Sequence, residues 1–354
     1  MIMAGGTGGH VFPALAVAAE LRARGAEVFW LGTRQGLEAK VVPPAGISME
    51  WVTVSGLRGK GALAWLLAPW RLLWAVMQVM GVILRRRPMV VLGMGGFVTG
   101  PGGVVTWLLR KPLVIHEQNA IAGLTNRLLA PLAIRVLTAF PSMFSGKKNV
   151  LQTGNPVRSA IAALPEPEQR FTERSGALRL LVLGGSLGAR ALNEALPQAL
   201  KALSQPLDIL HQAGSRHIEE ARAAYRLAGV EARVEPFIDD MATAYGWADL
   251  VICRAGALTI AELAAAGVGA VLVPYPYAVD DHQTHNAAYL AETGAAVVVQ
   301  QRDLSVERLR DLLNAFIEGN ARSKLLIMAQ AARKLAQPHA AEQVADICLE
   351  AARG

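Results

Sequence analysis

The chain has 354 residues, which is enough for two domains that each bury a core of their own. Apolar residues make up 53% and charged residues 18%, a composition that excludes an intrinsically disordered protein. The net charge of +7 is unevenly distributed: residues 1–155 hold 16 Lys and Arg against 5 Asp and Glu, whereas residues 156–354 hold 19 against 23. The basic half is therefore expected to face a polyanion, either a nucleic acid or an anionic membrane leaflet.

Cysteine usage and the first residues predict the compartment. The two cysteines, Cys253 and Cys348, lie in apolar runs and are too few for a disulfide framework or a zinc site, so both are predicted to be buried thiols. The opening MIMAGGTGGH has neither a positive n-region nor an apolar h-region, so no secretory signal is expected. A cytoplasmic protein is therefore predicted.

Short apolar runs alternate with helical patterns along the chain, which is typical of βαβ units and parallel sheets. In the first half, strands are predicted at Met1–Ala4, Val28–Leu31, Met89–Leu92, Leu113–His116, Arg135–Thr138 and Asn149–Gln152. In the second half, they are predicted at Leu180–Leu183, Asp208–His211, Arg233–Glu235, Leu250–Cys253, Ala270–Val273 and Ala296–Val299. Residues 155–177, with three prolines and a charged stretch, are the predicted linker.

The second half opens like the first. MIMAGGTGGH begins one half and LLVLGGSLGAR begins the other, each a strand that runs into a glycine turn and then a helix. This weak internal repeat predicts an α/β protein with two Rossmann-like, doubly wound domains that face each other across a cleft. The predicted domains are residues 1–155 and 156–335, and residues 336–354 are predicted to form a helix that packs back on the first domain.

Three glycine-rich turns follow predicted strands, at Gly5–Gly9, Gly93–Gly103 and Gly184–Gly188. Each would place backbone N–H groups at a helix N-terminus, where they bind anions, and glycine lets the backbone approach a phosphate closely. One such turn could equally serve tight packing, but three in one chain favour a phosphorylated ligand.

Other nucleotide-binding classes fit less well. Gly5–Gly9 does not match G-x-G-x-x-G from any starting glycine, and the second strand runs into Leu31–Arg34 without the acidic residue of an NAD site. Arg34 is compatible with NADP, so a nicotinamide-dependent oxidoreductase stays open as an alternative. No G-x-x-x-x-G-K-[ST] occurs, which argues against a P-loop NTPase.

Eight segments in chain order resemble one enzyme family and cover the chain from residue 4 to about residue 290. They are GGTGGHVFPALA, SGLRGKG, VLGMGGFVTGPGG, HEQNAIAGLTN, TGNPVR, LGGSLGAR, FIDDM and CRAGALTIAELAAAG. Together they resemble the MurG family of peptidoglycan-precursor N-acetylglucosaminyltransferases, which have the GT-B fold.

The resemblance implies an inverting, metal-independent hexosyltransferase. It would move N-acetylglucosamine from UDP-N-acetylglucosamine to the muramyl 4-hydroxyl of undecaprenyl-diphosphate-linked lipid I and so form lipid II for the cell wall. The first domain would bind lipid I at the cytoplasmic face of the cell membrane, and the second would bind the donor. No cofactor and no metal are expected, because the sequence has no Asp-x-Asp, and the acidic pairs at 239–240 and 280–281 lack that spacing.

Inversion by a single displacement needs one general base and stabilisation of the departing diphosphate. His10 is the predicted base, because it ends the first glycine turn just before Pro13, and a helix N-terminus disfavours the imidazolium form. The alternative is that His10 only hydrogen-bonds the acceptor or caps the helix. His116 is the rival base among the other histidines.

The remaining site residues are those that the resemblance implies. His116, Glu117 and Asn126 would bind the acceptor, although each could be structural. The diphosphate would be bound by Ser186, Arg158 and the start of the 257–262 segment. Glu262 would bind the ribose, and the Ile238 main chain would bind the uracil. The sugar would be bound by Asn119 and Gln283. In full, the donor residues are Thr7, Gly8, Gly9, Asn119, Arg158, Ser186, Ile238, Ala257, Leu258, Thr259, Ile260, Ala261, Glu262 and Gln283.

Two of these assignments have a specific weakness. Glu262 would otherwise be interpreted as a first-turn glutamate that complements the helix dipole. Gln283 lies in DDHQTHN, where the family pattern has a different spacing.

Residues 62–87 are apolar and rich in Trp, yet Arg71 and Pro69 interrupt them. The predicted helix from Pro69 to Leu84 would be about 24 Å long against a bilayer core of about 30 Å, so it is not predicted to span a membrane. It is either buried on both sides or lies at an anionic lipid surface with the 85–87 arginines.

Three alternatives to the transferase remain. A UDP-N-acetylglucosamine epimerase or a GT-B enzyme with another acceptor shares the fold but does not need the basic, Trp-rich segment. A nicotinamide-dependent oxidoreductase would be stabilised by NAD(H) rather than by UDP. Nucleic acid is not expected as a partner, because the basic residues alternate with Leu, Trp and Val.

Overall fold

The computed structural model describes residues 1–54, 67–141, 144, 146–172, 174–185 and 188–353, with the backbone alone at Val279. The chain forms two units. Unit 1 is Met1–Arg158 together with Gln337–Gly354, and unit 2 is Ser159–Ala336. Each unit is an α/β layer structure around one parallel sheet, so the predicted fold class is confirmed.

The sheet of unit 1 has seven described strands in the order β3-β2-β1-β4-β5-β6-β7, each parallel to its neighbours. The strands are β1 (Ile2–Met3), β2 (Phe29–Gly32), β3 (Ser48–Trp51), β4 (Val91–Gly93), β5 (Leu113–Glu117), β6 (Arg135–Thr138) and β7 (Val150–Gln152). The central strands are buried along their whole length, as expected for a parallel sheet that is covered on both faces. Six of the seven were predicted to within about three residues.

The helices of unit 1 connect these strands. They are α1 (Gly8–Ala23), α2 (Glu38–Val41), α3 (Ala68–Arg86), α4 (Thr99–Leu108) and α5 (Leu124–Leu129), with a single 3-10 turn at Pro43–Ala45. The last helix of the chain also belongs to this unit and packs on α1, where Val344 and Cys348 join Val11 and Ala14 in one buried cluster.

Unit 2 has six described strands in the order β10-β9-β8-β11-β12-β13, again all parallel. They are β8 (Leu178–Leu183), β9 (Leu207–Gln212), β10 (Arg233–Glu235), β11 (Leu250–Cys253), β12 (Gly269–Leu272) and β13 (Ala296–Val298). All six match the predicted strands to within about two residues. Cys253 is buried within β11, as its apolar surroundings predicted.

Ten helices are numbered in order after α5. They are α6 (Ser159–Ala162), α7 (Pro167–Thr172), α8 (Arg190–Lys201), α9 (Ile218–Ala228), α10 (Met241–Trp247), α11 (Ala257–Ala266), α12 (His282–Ala291), α13 (Val306–Ile317), α14 (Ala321–Arg333) and, in unit 1, α15 (Ala340–Arg353). Single 3-10 turns lie at Val279–Asp281 and Gln301–Asp303.

The predicted linker is largely part of unit 2. Within residues 155–177, α6 and α7 are helical, and arginines from this segment bind the ends of neighbouring elements. Arg170 donates to the carbonyl oxygen of Ala266 at 2.6 Å, and Arg174 pairs with Asp249, whose side chain is fully buried. A buried ion pair of this kind is costly to break, because either partner alone would be an uncompensated charge. The segment therefore packs as structure and not as a spacer.

Candidate active site

Two glycine-rich turns of unit 1 lie side by side. They follow β1 and β4, which are parallel neighbours, so their carboxyl ends meet at one edge of the sheet. Gly96 has a φ of +87°, and a Cβ there would collide with the carbonyl oxygen of Gly5. The backbones of the two turns are thus in direct contact, which a larger residue at position 96 would prevent.

His10 lies between these turns. It occupies the first turn of α1, is partly exposed, and its ring packs against Gly95, where a Cβ would come within 2.7 Å of the His10 Cδ2 atom. The Nδ1 atom of His10 is 3.4 Å from Oγ1 of Thr7. An imidazole held in this way is accessible at the carboxyl edge of the sheet, where ligands of open α/β folds bind.

The start of α1 is arranged for an anion. Thr7 is the N-cap residue, but its side chain makes no capping hydrogen bond, so side-chain capping does not satisfy the amides of Gly8 and Gly9. The ring of Phe12 lies against Gly8, and the guanidinium carbon of Arg158 lies 5.9 Å from the centre of that ring. The structure therefore brings the predicted phosphate ligands Thr7, Gly8, Gly9 and Arg158 to one helix N-terminus.

Glu117 organises the loop that follows β5. Its side chain is 2% exposed, and its carboxylate accepts hydrogen bonds from the backbone N–H groups of Asn119 and Gly123, each at 3.0 Å. Asn126, also buried, donates to the same carboxylate at 2.9 Å. Glu117 and Asn126 thus hold the loop that carries Asn119, which is itself partly exposed. Their assignment to the acceptor stays a prediction.

His116 is enclosed within unit 1. Its ring is fully buried, and Nε2 donates to the carbonyl oxygen of Gly154 at 2.9 Å. Burial lowers the pKa of His116 to about 4, against the smaller opposing effects of the Gly154 carbonyl and Glu117. The ring is therefore neutral at physiological pH, and its position favours His10 as the accessible base.

Gln118 was not predicted from the sequence. It is buried and donates from Nε2 to the carbonyl oxygen of Met94 at 2.8 Å, which ties the loop after β5 to the second glycine turn. The residue pattern gives no signal for this contact, because it arises between two elements that meet only in the folded sheet.

In unit 2, the glycine turn after β8 resembles that of unit 1. Gly188 has a φ of +80°, and a Cβ there would collide with the carbonyl oxygen of Ala213. Gly185 has a φ of +76°. Glycine is thus required at Gly188 for close packing as well as for its backbone conformation. Ser186, the predicted diphosphate ligand of this turn, lies outside the described residues.

Helix α11 begins at the carboxyl end of β11. Gly256 is its N-cap and makes no side-chain capping bond, so Ala257, Leu258 and Thr259 present the first-turn amides of the helix. Ile260 is fully buried, and the next residue, Ala261, is partly buried. This is the second helix N-terminus at a strand end that was predicted for an anion.

Glu262 lies in the second turn of α11. Its side chain is 5% exposed, and Oε2 accepts a hydrogen bond from the hydroxyl group of Tyr245 at 3.1 Å. The alternative of a glutamate that complements the helix dipole stays open, and the burial shows that this side chain is not solvated. A carboxylate has two oxygens that can accept from two donors, and contact with the ribose stays a prediction for this residue.

Gln283 joins three segments of unit 2. Its Oε1 atom accepts hydrogen bonds from the backbone N–H of Ala255 at 3.2 Å and of Tyr275 at 2.9 Å. These residues belong to the turns after β11 and β12, and Gln283 itself is in the first turn of α12. The oxygen thus positions two loops, and contact with a sugar hydroxyl stays a prediction for this residue.

Ile238 lines a cavity of about 300 Å³ next to α10. Phe237, Asp240, Thr243 and Trp247 contribute further walls. The backbone N–H of Ile238 donates to Oε1 of Gln212 at 2.9 Å. The main chain at this position is therefore held by a buried side chain, a contact that the sequence pattern did not reveal.

Comparison with known proteins places the chain. The N-terminal domain of glycosyltransferase family 28 matches residues 1–138, and the C-terminal domain of the same family matches residues 179–344. The chain is 58% identical to a protein of Nitrosococcus oceani over all of this chain and 99% of that one. That relative is named UDP-N-acetylglucosamine–N-acetylmuramyl-(pentapeptide) pyrophosphoryl-undecaprenol N-acetylglucosamine transferase. A protein of Marinobacter nauticus with the same name is 56% identical over all of this chain and 98% of that one.

A solved structure agrees. The crystal structure of MurG from Acinetobacter baumannii matches with a TM-score of 0.84 and 44% identity, over 99% of each chain. The chain belongs to the MurG family of glycosyltransferases. The resemblance found in its sequence is thereby confirmed.

The same architecture occurs in enzymes outside the MurG family. The calicheamicin glycosyltransferase CalG4 matches with a TM-score of 0.69 at 17% identity, over 99% of this chain and 97% of that one. A UDP-N-acetylglucosamine 2-epimerase from Listeria monocytogenes matches with a TM-score of 0.67 at 16% identity, over 97% of this chain and 93% of that one. These likenesses concern the fold alone.

Unit 1 of this MurG-family chain also exposes an apolar helix face. Helix α3 buries Ala75, Val79, Val82 and Ile83, whereas its opposite side is open. The exposed apolar side chains of this helix are Trp70 (71%), Leu72 (52%), Leu73 (52%), Trp74 (61%), Met77 (55%) and Leu84 (57%). The alternative of a helix buried on both sides is therefore wrong.

Helices α4 and α5 extend this face, because α4 packs against both α3 and α5. Trp107, Leu108, Leu124 and Leu128 are each at least half exposed, and basic residues occur beside them at 110–111 and 127. We call the exposed apolar residues of α3, α4 and α5 the apolar face. In the part of the chain that the structure describes, no helix is both long and apolar enough to cross a bilayer.

Proposed function

We propose that the chain transfers N-acetylglucosamine from UDP-N-acetylglucosamine to lipid I and so forms lipid II. The observation that carries this proposal is identity of 54–58% over essentially the full length to relatives that bear the name of this transferase. The two uncapped helix N-termini at strand ends support a diphosphate-linked donor.

In the proposed mechanism, His10 removes the proton from the muramyl 4-hydroxyl while that oxygen attacks the anomeric carbon. The bond from the sugar to UDP breaks in the same step, so the configuration at the anomeric carbon inverts. His10 suits this role because its imidazole is accessible between the glycine turns and starts a helix.

The charge that develops on the departing diphosphate is stabilised by backbone amides and by Arg158. Arg158 lies beside the first turn of α1, and the first-turn amides of α11 serve the same purpose in unit 2. We propose that this arrangement replaces a metal ion, because the sequence has no Asp-x-Asp. In the described part of the chain, no group of three metal-ligating side chains lies together.

Unit 2 is proposed to hold the nucleotide. Glu262, oriented by Tyr245, would accept hydrogen bonds from the ribose hydroxyls, and the Ile238 main chain beside the 300 Å³ cavity would contact the uracil. Asn119 and Gln283 are proposed to bind the sugar. Ser186 retains its proposed role at the diphosphate on the strength of the resemblance.

We propose that the apolar face brings unit 1 to the cytoplasmic side of the cell membrane. Burying exposed Trp and Leu side chains in the interfacial region is favourable, and basic residues at the rim attract anionic lipid. An acceptor that is anchored by an undecaprenyl chain requires such an approach, because its diphosphate lies at the bilayer surface.

The decisive experiment uses UDP-N-acetylglucosamine with a radiolabelled sugar, lipid I in detergent, and the purified chain. We expect label in the lipid fraction and one UDP released per sugar transferred, in EDTA as well as in magnesium. Epimerisation of the donor without acceptor would contradict the transferase activity. Labelled lipid that forms only when magnesium is present would contradict metal independence.

A further inference from the structure

Glu38 is a buried acid in the half of the chain that has only five. Its side chain is 0% exposed, although it begins the short helix α2. Oε2 accepts a hydrogen bond from the backbone N–H of Gly6 at 3.0 Å, and Oε1 accepts from the N–H and the hydroxyl of Thr33 at 2.9 and 2.8 Å. Three donors from two loops thus converge on one carboxylate.

The backbone around Glu38 is shaped to admit it. A Cβ on Gly5 would lie 2.7 Å from Oε1, a Cβ on Gly32 would lie 2.8 Å from Cγ, and a Cβ on Gly36 would collide with Oε2. Three glycines therefore contribute the space that the carboxylate fills. One of them, Gly5, belongs to the turn that precedes His10.

The contacts of Gly5 and Gly6 connect Glu38 to the candidate active site. Glu38 lies behind this turn, whereas Gly96 packs on the carbonyl of Gly5 from the other turn. Gly6 has a φ of +91° and is exposed, and its backbone N–H donates to Glu38. An anion at this turn would therefore be bound by the amides that follow, at the start of α1.

We propose that Glu38 is a positioning residue for the transfer reaction: it fixes the Gly5–Gly9 turn so that His10 and the first-turn amides of α1 meet the reacting groups. This inference rests on the proposed function. A misplacement of about 1 Å at a reacting group lowers rates by roughly a hundredfold. Because these amides act mainly on charge that develops during transfer, disorder in the turn affects kcat more than ground-state binding.

Two variants test this role by different means. Glu38→Gln keeps the volume but presents an NH2 group to donors that need an acceptor. Gly36→Ala leaves Glu38 chemically intact and displaces its carboxylate, and position 36 does not have a positive φ. Val136→Ala, in the buried core of the same unit, is the matched control, because it removes packing without touching the turn.

For both variants we expect kcat to fall roughly tenfold or more, the KM for UDP-N-acetylglucosamine to change by less than about threefold, and the control to keep most of its kcat at a similar loss of melting temperature. Values of kcat within about twofold of wild type in both variants would overturn the inference. So would a loss of kcat that the control reproduces at equal destabilisation. If Glu38→Gln does not fold, Gly36→Ala decides alone. Absence of transfer by the wild-type chain would instead count against the proposed function.

Discussion

The hydroxyl group of Tyr245 donates a hydrogen bond of 3.1 Å to Oε2 of Glu262, and both side chains are at least 95% buried. Tyr245 lies on α10 and Glu262 lies on α11, so the hydrogen bond fixes the carboxylate from a neighbouring helix. The hydrogen bond from Tyr245 thus orients the Glu262 carboxylate, which is the proposed ribose ligand.

Tyr245→Phe is therefore expected to weaken UDP binding roughly tenfold or more, because a hydrogen bond to a charged group contributes roughly 1.5–3 kcal/mol and each 1.4 kcal/mol is tenfold in affinity. The value of kcat at saturating donor should change little. Isothermal titration with UDP measures the effect. Tyr225→Phe is the matched control, since Tyr225 is also buried in unit 2 but pairs with His211. Equal affinities in wild type and Tyr245→Phe would argue against a ribose contact by Glu262.

His10→Ala should lower kcat by about a hundredfold or more while leaving UDP affinity nearly unchanged, since general-base catalysis contributes roughly 10²–10⁴-fold. Steady-state transfer to lipid I and titration with UDP give the two quantities. His339→Ala, an exposed histidine of unit 1, should behave as wild type. Near-normal kcat in His10→Ala would contradict the proposed role of His10 as the general base.

The buried histidines predict a loss of stability in mild acid. Burial lowers the pKa of both His116 and His211 to about 4 from an ordinary value of 6.5. Between these values the unfolded chain binds more protons than the native one, so the free energy of unfolding falls as the pH drops from about 6.5 towards 4. Each group contributes on the order of 3 kcal/mol over this window.

Urea unfolding at pH 7 and pH 5 measures this dependence. His211→Asn should reduce the difference in unfolding free energy between the two pH values, because Asn does not titrate. Val136→Ala should leave the difference unchanged, since it removes packing but no titratable group. A pH difference equal in all three proteins would contradict the assignment.

The apolar face predicts vesicle binding. Trp70→Gln combined with Trp74→Gln should weaken binding to vesicles rich in anionic lipid roughly tenfold or more. The reason is that two indole side chains, exposed in the free protein, would no longer be available for burial in the lipid interface. Co-sedimentation at low and high salt measures it, and raised salt should weaken the wild type. Leu227→Gln in unit 2 is the control, since Leu227 is 80% exposed but lies on α9, outside the apolar face. Unchanged sedimentation of the double variant would refute the role of α3.

The structure also changes which basic residues best test lipid attraction. Arg85 and Arg86 both pair with Glu50, and Arg86 lies over the ring of Phe29. Arg87 has a φ of 46° at the end of α3 and is exposed. Charge reversal at Arg87 is thus expected to weaken binding to anionic vesicles, with UDP binding retained. Reversal at Arg86 would disturb the fold as well.

The sequence predicted the strands well where burial dictates composition. The buried inner strands of both sheets are runs of apolar residues, and these were identified. Strand β3, SMEW, was missed because it is an edge strand with polar and partly exposed residues, so it has no apolar run. Short helices α6 and α7 were interpreted as linker, since prolines and charges dominate that segment whether or not it packs.

The residues of the candidate site could be predicted where they belong to a sequence motif. Those whose role depends on a tertiary contact could not. Glycine turns and His10 stand out in the sequence, whereas Glu38 resembles any solvated helix residue until three glycines from separate positions are seen around it. Tyr245 and Gln212 were likewise not predicted, because each acts on a residue that is distant in sequence. The apolar face on α4 and α5 needed the packing of three helices to become visible.

The packing of α15 on α1 bears on how this chain can be dissected. A fragment ending at Arg158 would keep both glycine turns and His10 but would lose Val344, Ala345 and Cys348 from the buried cluster that they form with Val11 and Ala14. The helix α15 thus completes the hydrophobic support of α1, the helix whose first turn carries the candidate base. Expression of the first half alone would yield a domain without part of its core, whereas a fusion that carries residues 337–353 behind it would restore the missing layer.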